Sequence, residues 1–175
     1  MSVSHSPPPA DWAASAPRRS CTFLVAGRCF AVDAASVIEV LRSQAMTPVP
    51  RAHRAIRGLL NLRGRIVPAI DMRYRLGLTD MPAVKSPTNI VLVSGGELFS
   101  LLVDELIDVT DIPAIAIEQP TAVSEHFSRD AIEGVFAGPN GLVHLLNIEA
   151  IVSGVMVSTA NDSDRLETHM EKILR

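Results

Sequence analysis

Apolar and polar positions alternate along this chain in ten short runs: Cys21–Val25, Cys29–Val32, Val37–Leu41, Leu59–Leu62, Arg65–Ile70, Asn89–Val93, Leu98–Val103, Leu106–Val109, Gly134–Ala137 and Gly141–Leu146. Side chains of an extended chain point to opposite faces in turn, so such runs predict half-buried strands. Glycine-bearing pairs punctuate them, at Ala26-Gly27, Arg63-Gly64 and Gly95-Gly96. Short strands at regular spacing with tight turns indicate small all-β barrels.

The runs come in two similar sets. Phe30, Val32, Val37, Ile38, Glu39 and Val40 correspond to Phe99, Leu101, Leu106, Ile107, Asp108 and Val109 at an offset of 69. Ile56, Gly58, Val67, Ile70 and Asp71 correspond to Ile132, Gly134, Val143, Leu146 and Asn147 at an offset of 76. One loop insertion accounts for the change, and two units of about 70 residues follow. A unit that small is marginal alone, so the two should pack on each other.

Helical signals are few. Pro50 and Gly58 bracket Arg51–Arg57 with the polarity of a short helix. Leu166, Met170, Ile173 and Leu174 line one face of a second, over 165–174. In the first predicted hairpin, Phe23 pairs with Phe30 and Leu24 with Cys29, which sends Cys21 and Cys29 to opposite faces and opposes a disulfide. Two reduced thiols fit a cytoplasmic protein. Arg18-Arg19 ahead of Phe23-Leu24-Val25 faintly imitates a twin-arginine export signal, but Arg28 and Asp33 break the apolar region it would need.

The most informative stretch is Gly58–Leu78, GLLNLRGRIVPAIDMRYRLGL. It reads as a hairpin with Arg63 at the tip, because Gly64 supplies the positive φ of a tight turn. Pro68 cannot donate to a ladder, which places its strand at an edge or bulge. Asp71 is suited to cap a turn over Met72–Leu76, with Gly77 closing it. Asn-Leu-Arg-Gly, apolar residues, Pro, two apolar residues, Asp, an apolar residue and Arg closely resemble the CheW family, the scaffold that couples chemoreceptors to the kinase CheA. The resemblance runs from about Thr22 to Ile151. It implies two five-stranded SH3-like barrels packed together, with terminal segments crossing between them, a few short helices and a C-terminal helix.

Residues 1–20, rich in Pro, Ser and Ala, read as a disordered tail in which Trp12 stands alone. The domain proper is expected over 21–154, as subdomains 21–84 and 85–154, followed by a linker and helix over 155–175. Hydrophobic residues make up 47% and aromatics 4%, so the core is aliphatic. No apolar run is long enough to span a bilayer.

Nothing in the sequence resembles an active site. There is no phosphate-binding glycine loop and no nucleophile elbow. The five histidines share no ligand spacing with each other or with the cysteines, so no metal or cofactor is expected. Asp104, Glu105, Asp108 and Asp111 lack the pattern of a calcium loop and read as a solvated face. From Arg51 to Arg75 seven arginines face one acid, a local +6 in a chain of total charge −3. That suits phosphate or an acidic protein, but one aromatic (Tyr74) is little for base stacking.

Glu39 and Arg63 are the pair to single out. In the CheW family the acid of this strand and the arginine of the motif lie together at the interaction surface. The resemblance assigns Val37, Glu39, Arg63, Thr88, Leu106 and Val109 to surfaces facing the receptor tip and the kinase regulatory domain. Thr88 departs from the more apolar residue usual there. The expectation is thus a non-enzymatic, cytoplasmic adaptor recruited to receptor arrays, with other CheW-like domains as further ring partners. A scaffold for surface motility, biofilm or second-messenger output, a kinase-only regulatory domain and a small nucleic-acid binder are the alternatives.

Overall fold

The computed structural model describes residues 16–120 and 129–156. Its strands are β1 (Arg18–Val25), β2 (Arg28–Asp33), β3 (Val37–Leu41), β4 (Ile56–Leu62), β5 (Arg65–Asp71), β6 (Thr88–Ser94), β7 (Glu97–Val103), β8 (Glu105–Ile112), the two-residue β9 (Ile117–Glu118), β10 (Ile132–Gly138) and β11 (Gly141–Leu146). Helix α1 (Met72–Arg75) follows β5, and residues 148–156 form α2 after β11.

The strands build a five-stranded sheet, β3-β6-β7-β5-β4, and a six-stranded one, β8-β1-β2-β11-β10-β9. These are the two small barrels expected. Each draws strands from both halves of the chain, because β1–β2 join the second half and β6–β7 the first. The repeat survives in detail. Asp71 accepts a bond from the Arg73 amide at the start of α1, and Asn147 one from the Ala150 amide in α2. The Asp71 amide donates to Ala55 O and that of Asn147 to Ala131 O, again 76 positions apart.

Each barrel has a small interior, Leu60, Val67, Ala69 and Leu102 in one and Ala31, Ile112 and Leu145 in the other. The largest cluster lies where the two meet. It takes Phe23, Phe30 and Val32 from one sheet and Ile90, Leu92 and Leu101 from the other. At about 1.5–3 kcal/mol for each fully buried large side chain, this seam outweighs either interior. Neither barrel is complete without it.

Two arginines of α1 fasten the seam. Arg73 donates from Nε to Asp104 Oδ1 at 2.8 Å and from Nη2 to Asp104 Oδ2 at 2.6 Å. Asp104 also accepts from the Ala26 amide in the β1–β2 turn. Arg75 donates to the carbonyls of Ala150 and Ile151 in α2.

Three expectations need correction. Arg51–Arg57 is not a helix: Arg51 turns at φ +60°, the next residues form turns, and β4 begins at Ile56. Pairing of Ile56 with Ile70 wins over a weak local signal. Asp104 is no solvated acid but the half-buried partner of the buried Arg73. Strand β5 is interior, and Pro68 is tolerated because the ladder to β7 starts only at Ala69. Trp12 and the helix expected over 165–174 lie outside the described residues.

Candidate partner-binding surface

The Asn-Leu-Arg-Gly motif is a two-residue turn joining β4 to β5. Arg63 and Gly64 have φ of +52° and +82°, the sign both central residues need when a turn follows the twist of a hairpin. Asn61 Oδ1 accepts a bond from the Gly64 amide at 2.9 Å and holds the turn closed. Arg63 is thereby lifted clear of the barrel, with 82% of its side chain exposed.

Its neighbour arrives from another element. Strand β3 is an edge strand whose register against β6 slips between Val37 and Glu39. Val37 and Glu39 face partly inward, and Ile38 points out at 56% exposure. Glu39 Oε2 accepts from Arg63 Nη2 at 3.2 Å. An exposed pair of this kind contributes about 0–1 kcal/mol to stability. A guanidinium has five N–H donors and this contact engages one, so the fork stays available to a partner.

The repeat places an equivalent edge on the other barrel. Strand β8 slips its register against β1 at Ile107, 69 positions after Ile38. Leu106 packs on the seam core as Val37 does, and Ile107 and Val109 stand exposed. Thr88 is half-buried at the start of β6, paired with Val103. Of the six expected positions, Glu39 and Arg63 are thus in contact, Val37 and Leu106 share the seam core, and Thr88 and Val109 stand apart on β6 and β8. Sequence reasoning passed over Asn61, whose spacing of three from Gly64 was the available signal. It also passed over the bulged Ile38 and Ile107, for which plain alternation gives none.

Burial raises the pKa of both Cys21 and Cys29, so their thiols are protonated at neutral pH. His144, held against the Cys29 carbonyl at 3.1 Å, is shifted down by burial. No group of three or more metal-ligating side chains occurs among the described residues.

Paired barrels displaying an arginine fork and apolar edge residues define a double-barrel interaction module. The CheW-like domain model matches residues 19–156. The probable chemotaxis protein CheW of Rhizobium etli is 27% identical over 138 residues, 78% of this chain and 88% of that protein. The chemotaxis protein CheW of Bacillus subtilis is 28% identical over 131 residues, 74% of this chain and 83% of its own. The crystal structure of the scaffolding protein TtCheW from Thermoanaerobacter tengcongensis has a TM-score of 0.72 at 26% identity, covering 77% of this chain and 92% of that one. This chain belongs to the CheW family, whose members are non-enzymatic adaptors.

Proposed function

We propose that this protein is a chemotaxis adaptor that couples chemoreceptors to a CheA-type histidine kinase. The observation carrying this reading is the exposed Arg63 fork on a rigid turn, paired with Glu39 from an edge strand, in a chain that is CheW-like from 19 to 156. The kinase regulatory domain and the cytoplasmic tip of a receptor are the two partners. Val37, Glu39, Arg63, Thr88, Leu106 and Val109 are the positions that meet them. Apolar anchors fill the partner's surface, and Arg63 fixes register through a carbonyl or carboxylate. Other CheW-like domains are ring partners, and weak contacts become firm through multivalency. Among the described residues no helix is long and apolar enough to cross a membrane. The adaptor role itself implies a place in the cytoplasm at receptor arrays.

The test is a titration of the purified chain against the regulatory domain of the CheA-type kinase from the same genome, with Arg63→Ala alongside. Saturable one-to-one binding supports the adaptor. Absence of binding both to that domain and to a receptor-tip peptide refutes it.

A further inference from the structure

The arginine-rich window finds two kinds of use in the fold. Arg63, Arg73 and Arg75 are engaged with Glu39, with Asp104 and with α2 carbonyls. Arg57 is exposed and has no ion-pair partner among the described residues. It opens onto a cleft of about 660 Å³ in the five-stranded barrel, walled by α1 and by the loops before β4 and after α1. Lys85 stands on the same wall, exposed and equally without an ion pair. The two acids lining the cleft are already engaged, Asp71 on the Arg73 amide and Asp104 on the Arg73 guanidinium. Asp80 lies in the same loop but does not line the cleft. Three lining cations (Arg57, Arg73 and Lys85) against two acids leave the cleft with a net charge of +1, although the whole chain is acidic.

It is also greasy. Tyr74, Met81 and Val84 line it and are all more than one-third exposed. Arg54, itself not a lining residue, lies 5.8 Å above the Tyr74 ring centroid and orients the ring. Pro48, Pro82 and Pro87 fix φ in the flanking loops, so the walls are preorganised. A phosphate ligand would satisfy the cations and leave the apolar wall wet. A nucleic-acid strand would find one ring to stack on, where such sites string several together. A carboxylate-rich peptide carrying an apolar side chain matches both halves of the surface.

We infer that this cleft is a second docking site, for an acidic protein segment with an apolar anchor, set apart from the Glu39–Arg63 pair. Arg57 and Arg63 are six residues apart near opposite ends of β4, roughly 20 Å along an extended strand, so both can be engaged at once. Arg57 and Lys85 meet the partner's carboxylates, and Tyr74, Met81 and Val84 receive its anchor.

The experiment titrates the full chain with a short labelled peptide alternating Glu and Leu, following by NMR the methyl signals of Met81 and of Met46, which also lines the cleft. The expected result is saturable, salt-sensitive binding that moves both methyls. Arg57→Glu combined with Lys85→Glu should weaken it by roughly tenfold or more, as reversal of desolvating charges does. Arg63→Ala should leave it unchanged. Equal binding of a Glu–Ser peptide would reduce the effect to bulk charge and overturn the proposal. So would silent methyls, loss of binding in Arg63→Ala, or binding only to phosphatidylglycerol vesicles. Should the double variant fold poorly, Met81→Ala carries the same test: unchanged peptide affinity overturns the anchor site.

Discussion

Arg63 holds φ at +52°, where a side chain costs about 1–2 kcal/mol that glycine does not incur. A residue kept there at such expense is kept for what its side chain reaches. Arg63→Gly should therefore leave the urea midpoint unchanged or raise it, while partner binding falls; a lower midpoint would mean that the arginine supports the fold. Glu39→Arg and Arg63→Glu should each weaken binding to the kinase regulatory domain, and the double reversal should restore part of it. Strictly additive losses in that cycle would show that the two side chains act independently.

At the scale of elements, two bulged edge strands repeat one solution. Ile38 and Ile107 occupy the extra positions, and each slip twists an unpaired strand edge away from indiscriminate pairing. Two glycines repeat another, since a Cβ on Gly58 would lie 2.8 Å from Thr47 O and one on Gly134 2.6 Å from Ile117 Cγ2. Gly58→Ala should destabilise the protein by about 1–3 kcal/mol in urea denaturation, because backbone blocks the added methyl. Long strands were legible because burial on one face writes a period of two into the sequence. Two-residue β9 writes no period, and the Arg51–Arg57 segment carried helix punctuation that sheet pairing overruled. Asn61-Leu62-Arg63-Gly64 made the Arg63 turn of the proposed partner surface legible, since a turn and its side-chain bond are local. The bulges, the Arg73–Asp104 contact and the cationic cleft arise from residues far apart in sequence, and no local pattern reports them.

For the whole molecule, stability is concentrated at the seam. Asp104→Ala strands the Arg73 guanidinium, whose side chain is 10% exposed, and such a loss typically costs about 3–5 kcal/mol. Both barrels should then unfold together at lower urea, and persistence of one barrel would argue against a shared core. A second prediction concerns acid. His144 has its folded pKa below the ordinary 6.5 through burial, which outweighs the opposing bond to Cys29 O. The unfolded chain then takes up a proton first as pH falls. His144 therefore costs no stability above 6.5, and stability declines from there down to the lower folded value. His144→Gln should flatten that part of the pH–stability curve; an unchanged slope would assign it to other groups.

The exchange of β1–β2 for β6–β7 has a genealogical consequence. Two separate copies of a five-stranded chain, each lending its first hairpin to the other, would assemble this same pair of sheets as a symmetric homodimer. Only the covalent segment between β5 and β6 joins the two halves of the present molecule into one chain. Fusion of that kind frees the two edges from being identical, so that one can carry Glu39 beside an arginine while the other carries Asp108 bonded to its own strand. A symmetric dimer would offer one surface twice, whereas this chain offers two surfaces that can diverge towards different partners.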